Sequence, residues 1–213
     1  MNSSLKNKDY RLGIYGIREK GPSQIFLYFD AGRQNNDSKR YINAGANYMA
    51  KSSYNSNTIE LGGRYTYDTD CGKAQDWHRK PYGEAQVVRY SQDGYNENGA
   101  GVWNQSVGSG SSTYSAATVG FGLEKRMKDE EIEVHVGYKR VLSGSDPTYP
   151  VHWMDGGTEH IARGSGLDKN LLVVGVHAEQ KQEDNWNLLG DIELEQGHSQ
   201  QNVQASVMLK KSW

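Results

Sequence analysis

Polar and apolar residues alternate with a period of two through most of this chain. In residues 57–68, the positions Ile59, Leu61, Gly63, Tyr65 and Tyr67 are separated by Glu60, Gly62, Arg64 and Thr66. Near the N-terminus, Tyr10, Leu12 and Ile14 share one face, and Arg11, Gly13 and Tyr15 share the other. Successive side chains of a β-strand point to opposite faces, so this period predicts strands with one apolar face.

The pattern predicts an all-β chain of nine strands without a convincing helix. The strands lie around Tyr10 and at residues 24–33, 57–68, 82–91, 117–126, 131–140, 170–179, 185–195 and 202–213. Short polar turns alternate with connections of about 20 to 25 residues, except that 68–80 is unexpectedly long and 195–201 unexpectedly short. This alternation is typical of an antiparallel up-and-down transmembrane β-barrel, whose two ends face different sides of a membrane.

The composition is compatible with such a barrel. Only 35% of the residues are hydrophobic and the mean hydropathy is −0.83, although the chain contains 25 Gly and 14 Tyr. A barrel surrounded by lipid needs apolar side chains at only half of its strand positions, and inward glycines leave room for larger neighbours. The longest uncharged window, 102–123, is too polar for a membrane helix. A net charge of −2 disfavours nucleic acid as a partner.

Catalytic and metal-binding patterns are absent from the sequence. Its six histidines form no HExxH motif, and neither GxSxG nor a P-loop occurs. Cys71 is the single cysteine, so it forms no internal disulfide, and no second Cys or His stands near it at metal-ligand spacing. The inward acids are explained by a polar barrel interior without catalysis: Glu84, Glu133, Asp191, Glu193 and Glu195. We expect no enzymatic activity, no cofactor and no metal.

Several segments together resemble the C-terminal β-domain of autotransporters, the translocator unit of type V secretion. Residues 166–197 and 202–213 are similar in order and spacing to the last three strands of that family. Residues 81–90 resemble a family strand with inward Glu84 and Gln86, although the proline that often follows the glutamate is Ala85 here. Residues 131–144 resemble the next strand, with inward Glu133, and residues 11–19 and 25–34 fit two earlier strands.

The last strand also resembles the signal by which the barrel-assembly machinery recognises outer-membrane proteins. Ala205, Val207, Leu209 and the terminal Trp213 share one face, and Lys211 departs from the apolar residue usual at that position. The resemblance implies Val207, Leu209 and Trp213 as the assembly signal.

The resemblance further implies a hydrophilic pore in the bacterial outer membrane, lined by Glu84, Gln86, Glu133, Asp191 and Glu193. This barrel would anchor an N-terminal passenger domain and help export it to the cell surface, with outer-membrane lipid, the barrel-assembly machinery and the passenger as partners. Family barrels have twelve strands and a helix in the pore, so the nine strands fit best if this chain begins at the fourth. We expect residues 1–213 to form one β-barrel domain with a flexible leader at 1–7.

Two alternatives remain at this point. A small soluble or engineered β-barrel that serves as a binding module would agree with the polar composition. An independent outer-membrane pore or adhesin would use the long loops to contact a ligand. Detergent dependence distinguishes the soluble module from the membrane proteins, and conductance without a passenger would favour the independent pore.

Overall fold

The computed structural model describes residues 3–73, 76–144, 148–154, 160–163, 166–182 and 186–211. Nine long strands form one antiparallel sheet: β1 (Ser4–Lys20), β2 (Ser23–Asn43), β3 (Asn47–Tyr67), β4 (Trp77–Gln92), β7 (Gly110–Arg126), β8 (Glu130–Ser143), β11 (Asn170–Lys181), β12 (Trp186–Gln196) and β13 (Gln201–Lys211). Four short strands, β5 (Tyr95–Asn96), β6 (Gln105–Val107), β9 (Thr148–Trp153) and β10 (His160–Arg163), form a second sheet. The connection between β5 and β6 includes a 3₁₀ turn at Gly101–Trp103.

The strands of the large sheet pair in chain order, each antiparallel to the one before it. This confirms the predicted up-and-down arrangement and the count of nine long strands. The sheet curves into a half-barrel in which β1 and β13 are the edges. The connections from β1 to β2, β3 to β4, β7 to β8 and β11 to β12 join strands at one end, here called the turn end, and the other connections join them at the opposite end, here called the loop end.

The structure differs from the prediction at one loop and in part of the leader. Residues 35–53 were expected to form a connection of about 20 residues, but β2 and β3 are each 21 residues long and turn only at 44–46. Backbone hydrogen bonds pair these residues as a regular ladder, and such a ladder does not depend on apolar side chains. Ser4–Asn7 of the predicted leader also belong to a strand, because they pair with Asn36–Lys39.

The other long connections also contain structure that was not predicted. Residues 93–109 hold β5 and β6, and residues 144–169 hold β9 and β10. The strands of this small sheet are two to six residues long. They are too short to show a period of two, so the sequence pattern could not identify them.

The two faces of the large sheet differ in polarity. The convex face carries exposed apolar side chains on every long strand, including Leu12, Leu27, Leu61, Val119, Val134, Val176, Ile192 and Val207. The concave face carries glycines, charged residues and tyrosines, and few large apolar side chains are buried there. Among the described residues, no helix is long and apolar enough to cross a bilayer. The apolar exterior is therefore built from strands, as the alternation predicts.

Candidate functional site

A polar cavity of about 480 Å³ lies against the concave face of the large sheet. Its lining includes the acids Glu60, Glu84, Glu193 and Glu195, the bases Arg64 and Lys139, and the uncharged side chains Tyr28, Tyr82, Gln86, Tyr114, Gln200, Asn202 and Gln204. Because side chains alternate between the two faces along a strand, the lining residues that lie in strands are flanked by residues of the opposite face. The cavity is thus formed by every second residue of several strands.

Tyr82 fills the centre of this face because two neighbouring positions are glycine. A Cβ atom at Gly120 would lie 2.3 Å from the ring carbon Cζ of Tyr82, and one at Gly137 would lie 2.5 Å from its hydroxyl oxygen. The guanidinium of Arg64 stacks 3.7 Å from the centre of the same ring, and His135 meets the ring edge-on. Tyr82 is only 6% exposed. These contacts bear out the expectation that inward glycines make room for larger neighbours.

The same arrangement recurs on both sides of Tyr82. A Cβ at Gly62 would lie 2.3 Å from the ring of Tyr28, whose hydroxyl donates a 2.9 Å hydrogen bond to Glu60. A Cβ at Gly175 would lie 2.4 Å from the imidazole of His135. Large polar side chains therefore lie flat across glycines of the next strand, which holds their polar ends at fixed positions over the concave face.

A network of charges extends from the centre of this face towards the turn end. The ammonium of Lys80 contacts the buried carboxylate of Glu124 and lies 3.7 Å from Glu133 and 3.9 Å from Glu131. Arg126 contacts Glu124 from the other side. Since Glu124 has no exposed side-chain surface, these cations offset the cost of burying its charge.

Cations and histidines face the remaining acids on the neighbouring strands. Lys139 donates a 2.6 Å hydrogen bond to Glu195, and Arg64 lies 3.4 Å from Glu133. His135 contacts Glu193 at 3.4 Å, and His177 contacts Asp191 at 2.6 Å. The concave face is therefore wettable and charged, but many of its charges are paired with one another.

The predicted site residues that the structure describes lie on the faces expected for them. Glu84, Gln86 and Glu193 line the 480 Å³ cavity, and Glu133 and Asp191 line a neighbouring cavity of about 320 Å³. On the convex face of β13, Val207 is 80% exposed and Leu209 is 60% exposed. Trp213 lies outside the described residues.

Sequence reasoning missed most of the cations and aromatic groups that hold these acids. Arg64, Lys80, Tyr82 and Lys139 occupy inward positions, and the signal that could have found them was the alternation itself. Their pairing across strands depends on register. Arg64 lies directly opposite Glu84, for example, and register is set by the turns of the folded sheet.

Residues 68–73, in the unusually long turn after β3, pack against the turn end of the sheet. Asp68 accepts a hydrogen bond from His78 Nδ1 at 2.9 Å if that nitrogen is protonated, and its backbone N–H donates to the Pro22 carbonyl at 2.7 Å. Asp70 has a fully buried side chain, and Arg79 and Lys73 beside it hold the pKa of its carboxyl well below its usual range. This turn ties together the ends of β2, β3 and β4.

A second cluster fixes the small sheet to the outer part of the β2–β3 hairpin. Arg40 Nε donates a 2.9 Å hydrogen bond to the buried Glu97, and Tyr95 stacks on Tyr54 with ring centres 4.4 Å apart. Burial raises the pKa of the Tyr95 hydroxyl to about 12. The long connections therefore form a folded cap at the loop end.

The described residues contain no group of three or more His, Cys, Asp or Glu side chains arranged to hold a metal ion. The histidines of the concave face each contact carboxylates, and none stands beside a Ser or Cys nucleophile in the contacts found among these residues. The arrangement suits the wall of a water-filled passage.

Comparisons with known proteins identify the architecture. The family profile described as "Autotransporter beta-domain" matches residues 1–193. The translocator domain of the autotransporter NalP from Neisseria meningitidis aligns with a TM-score of 0.76 at 17% identity, over 99% of this chain and 68% of that one. The transport unit of the autotransporter AIDA-I from Escherichia coli aligns with a TM-score of 0.44 at 11% identity, over 99% and 84% of the two chains. No curated protein sequence matches the chain.

The likeness to the NalP domain shows a common fold, and the family profile covers most of the chain. Translocator domains of this family are not enzymes, and they are associated with the outer membrane and with their own passenger. The family assignment favours the translocator over the soluble binding module and the independent pore. The chain belongs to the autotransporter β-domain family, and its function is that of an outer-membrane translocator for the export of a passenger domain.

Proposed function

We propose that the passenger chain passes along the concave face and contacts Glu84, Gln86, Glu133, Asp191 and Glu193. The observation that carries this proposal is the polar cavity lined by Glu84, Gln86 and Glu193, on the face opposite to the apolar surface. An unfolded chain in transit needs partners for its backbone N–H and C=O groups, and a wet polar wall supplies them.

The pairing of charges supports a wall of low affinity. Lys139 forms a salt bridge with Glu195, and His135 lies beside Glu193. Charges that are already paired attract a passing segment less than free charges, so passengers of different sequence can slide past. The chain catalyses no reaction in this proposal and needs no cofactor.

Cross-linking in cells tests the path of the passenger. In a Cys71→Ser background, we expect Gln86→Cys to form a cross-link with a cysteine placed in a passenger that is stalled during export. The matched control is Val87→Cys, the next residue of β4, which faces the opposite side and is 46% exposed. Mass spectrometry of the cross-linked product identifies the site. Equal cross-linking from both positions would contradict the proposed path.

We also propose that residues 1–213 act as one domain whose last strand is read by the barrel-assembly machinery. Val207 and Leu209 lie on the exposed convex face of β13, and β13 is an edge strand whose outer backbone groups have no sheet partner among the described residues. An edge strand with free backbone groups can pair with another protein. These two residues present an apolar stripe beside that edge.

Replacing Trp213 by serine is expected to block insertion into the outer membrane. Val207→Asn combined with Leu209→Asn is expected to reduce it strongly, because the apolar stripe beside the edge is lost. The control is Val119→Asn on β7, which is equally outward and 64% exposed but lies in the middle of the sheet. Heat-shifted gel mobility of membrane fractions measures insertion. Unchanged insertion of the Trp213 variant would refute its part in assembly.

A further inference from the structure

A group of basic residues occupies the convex face towards the loop end of β1 to β4. This basic patch consists of Lys6, Lys8, Arg33, Lys39, Lys51 and Arg89, all of them exposed. The register of the sheet places them on one face: Lys39 lies directly opposite Lys51, and Arg33 lies directly opposite Tyr10. Strands are about 4.8 Å apart and rise about 3.3 Å per residue, so the patch spans four neighbouring strands and extends about 20 Å along β2 from Arg33 to Lys39.

The basic patch begins where the exposed apolar surface ends. On β2, Phe29 is followed on the same face by Ala31 and then by Arg33, and on β4 Val87 is followed by Arg89. Consecutive residues of one face are about 7 Å apart along a strand. Arg33 and Arg89 therefore lie about 7 Å beyond the apolar surface that contacts lipid tails, at the depth of the lipid headgroups.

The six cations of this patch outnumber the acids on the same face within the part of the chain that the structure describes. None of the six residues takes part in a salt bridge found there. Asp37 is the one acid on this face of β1 to β4 beyond the apolar surface; it lies directly opposite Lys6 and accepts a 2.6 Å hydrogen bond from Ser53. Like charges directly opposite on adjacent strands are destabilising, and Lys39 and Lys51 have this relation. An external anion would offset that repulsion.

We propose that the basic patch binds the phosphate groups of lipid in the outer leaflet of the outer membrane. The long connections of such barrels face the cell exterior, so the loop end lies in that leaflet. Lys and Arg side chains bind phosphate by charge-assisted hydrogen bonds, and their continuity with the apolar surface selects a phosphate that is attached to acyl chains over a free one. The bound lipid would hold the β1 side of the sheet at a fixed depth.

Lipid titration of the full chain, folded in detergent micelles, tests this proposal. Native mass spectrometry measures the binding of a bisphosphorylated glycolipid, lipid A, and of its dephosphorylated form. The test variant is Lys8→Gln/Arg33→Gln/Arg89→Gln. The control is Arg18→Gln/Lys20→Gln, which removes exposed cations from the same face at the turn end. Heat-shifted mobility confirms that each variant is folded.

We expect the triple variant to bind the bisphosphorylated lipid roughly 100-fold more weakly, since each basic residue near an anionic surface contributes about a factor of five. The control should keep the affinity of the unmodified chain. If the triple variant does not fold, Arg33→Gln/Arg89→Gln takes its place, with an expected loss of roughly 25-fold.

Four results would overturn the proposal. Equal losses in the test and control variants, or no loss in either, would show that the patch is not the site. Equal binding of the dephosphorylated lipid would assign the affinity to the apolar surface alone. Displacement of the lipid by inorganic phosphate in excess would identify a site for free anions.

Discussion

Replacement of Gly120 by alanine is expected to destabilise the folded protein by about 2 kcal/mol or more. The new Cβ would lie 2.3 Å from a ring carbon of Tyr82, far inside van der Waals contact. The ring has little room to move, because Gly137 lies beneath its hydroxyl and Arg64 stacks on it. Urea unfolding in detergent, monitored by the loss of heat-shifted gel mobility, measures the change in the free energy of unfolding.

Gly83→Ala is the matched control for this prediction. Gly83 lies on β4 next to Tyr82, and a Cβ there would meet nothing within 4 Å. We expect this variant to retain or slightly gain stability, since alanine restricts the unfolded chain more than glycine does. In a Tyr82→Ala background, Gly120→Ala should lose most of its cost. An equal cost of Gly120→Ala with and without the tyrosine ring would contradict the packing described above.

Replacement of Lys80 by methionine is expected to have a still larger effect. Its ammonium lies beside the carboxylates of Glu124, Glu133 and Glu131. Methionine has a similar shape but carries no charge, so the fully buried Glu124 would keep only the contact with Arg126. Loss of one partner of a buried ion pair costs about 3 to 5 kcal/mol. The same urea titration measures it.

Two variants separate this charge effect from packing. Lys80→Arg keeps the cation and should retain most of the stability. Lys125→Met removes an outward lysine of β7 that lies 5.6 Å from the ring centre of Trp77, and we expect a change below about 1 kcal/mol. If Lys80→Met were as mild as Lys125→Met, the charge network would not contribute to the fold.

The strands and their faces could be predicted because the alternation of residues is a local property. Glu133, Asp191 and Glu193 were expected to face inward from their positions alone, and they do so. The face of the sheet on which a side chain lies follows directly from the period of two, without knowledge of the neighbouring strands. The same reasoning placed Val207 and Leu209 on the outer face.

The partners of these residues could not be predicted, because they depend on register and on contacts distant in the sequence. Arg64 meets Glu133 across 69 positions of the chain, and Lys139 meets Glu195 across 56. The cap at the loop end escaped prediction for a different reason. Its strands are short, and it is fixed by single contacts such as that between Arg40 and Glu97.

The convex face meets lipid, and the concave face meets water. Thiol labelling of three neighbouring residues of β12 in a bilayer tests this arrangement, in a Cys71→Ser background with a charged reagent that does not enter lipid. The side chains of Asp191 and Glu193 are 51% and 40% exposed, and Ile192 between them is 59% exposed, so the protein alone shields none of them. We predict rapid labelling of Asp191→Cys and Glu193→Cys and strong protection of Ile192→Cys, which disappears after unfolding in detergent. Equal labelling of all three in the bilayer would contradict the account.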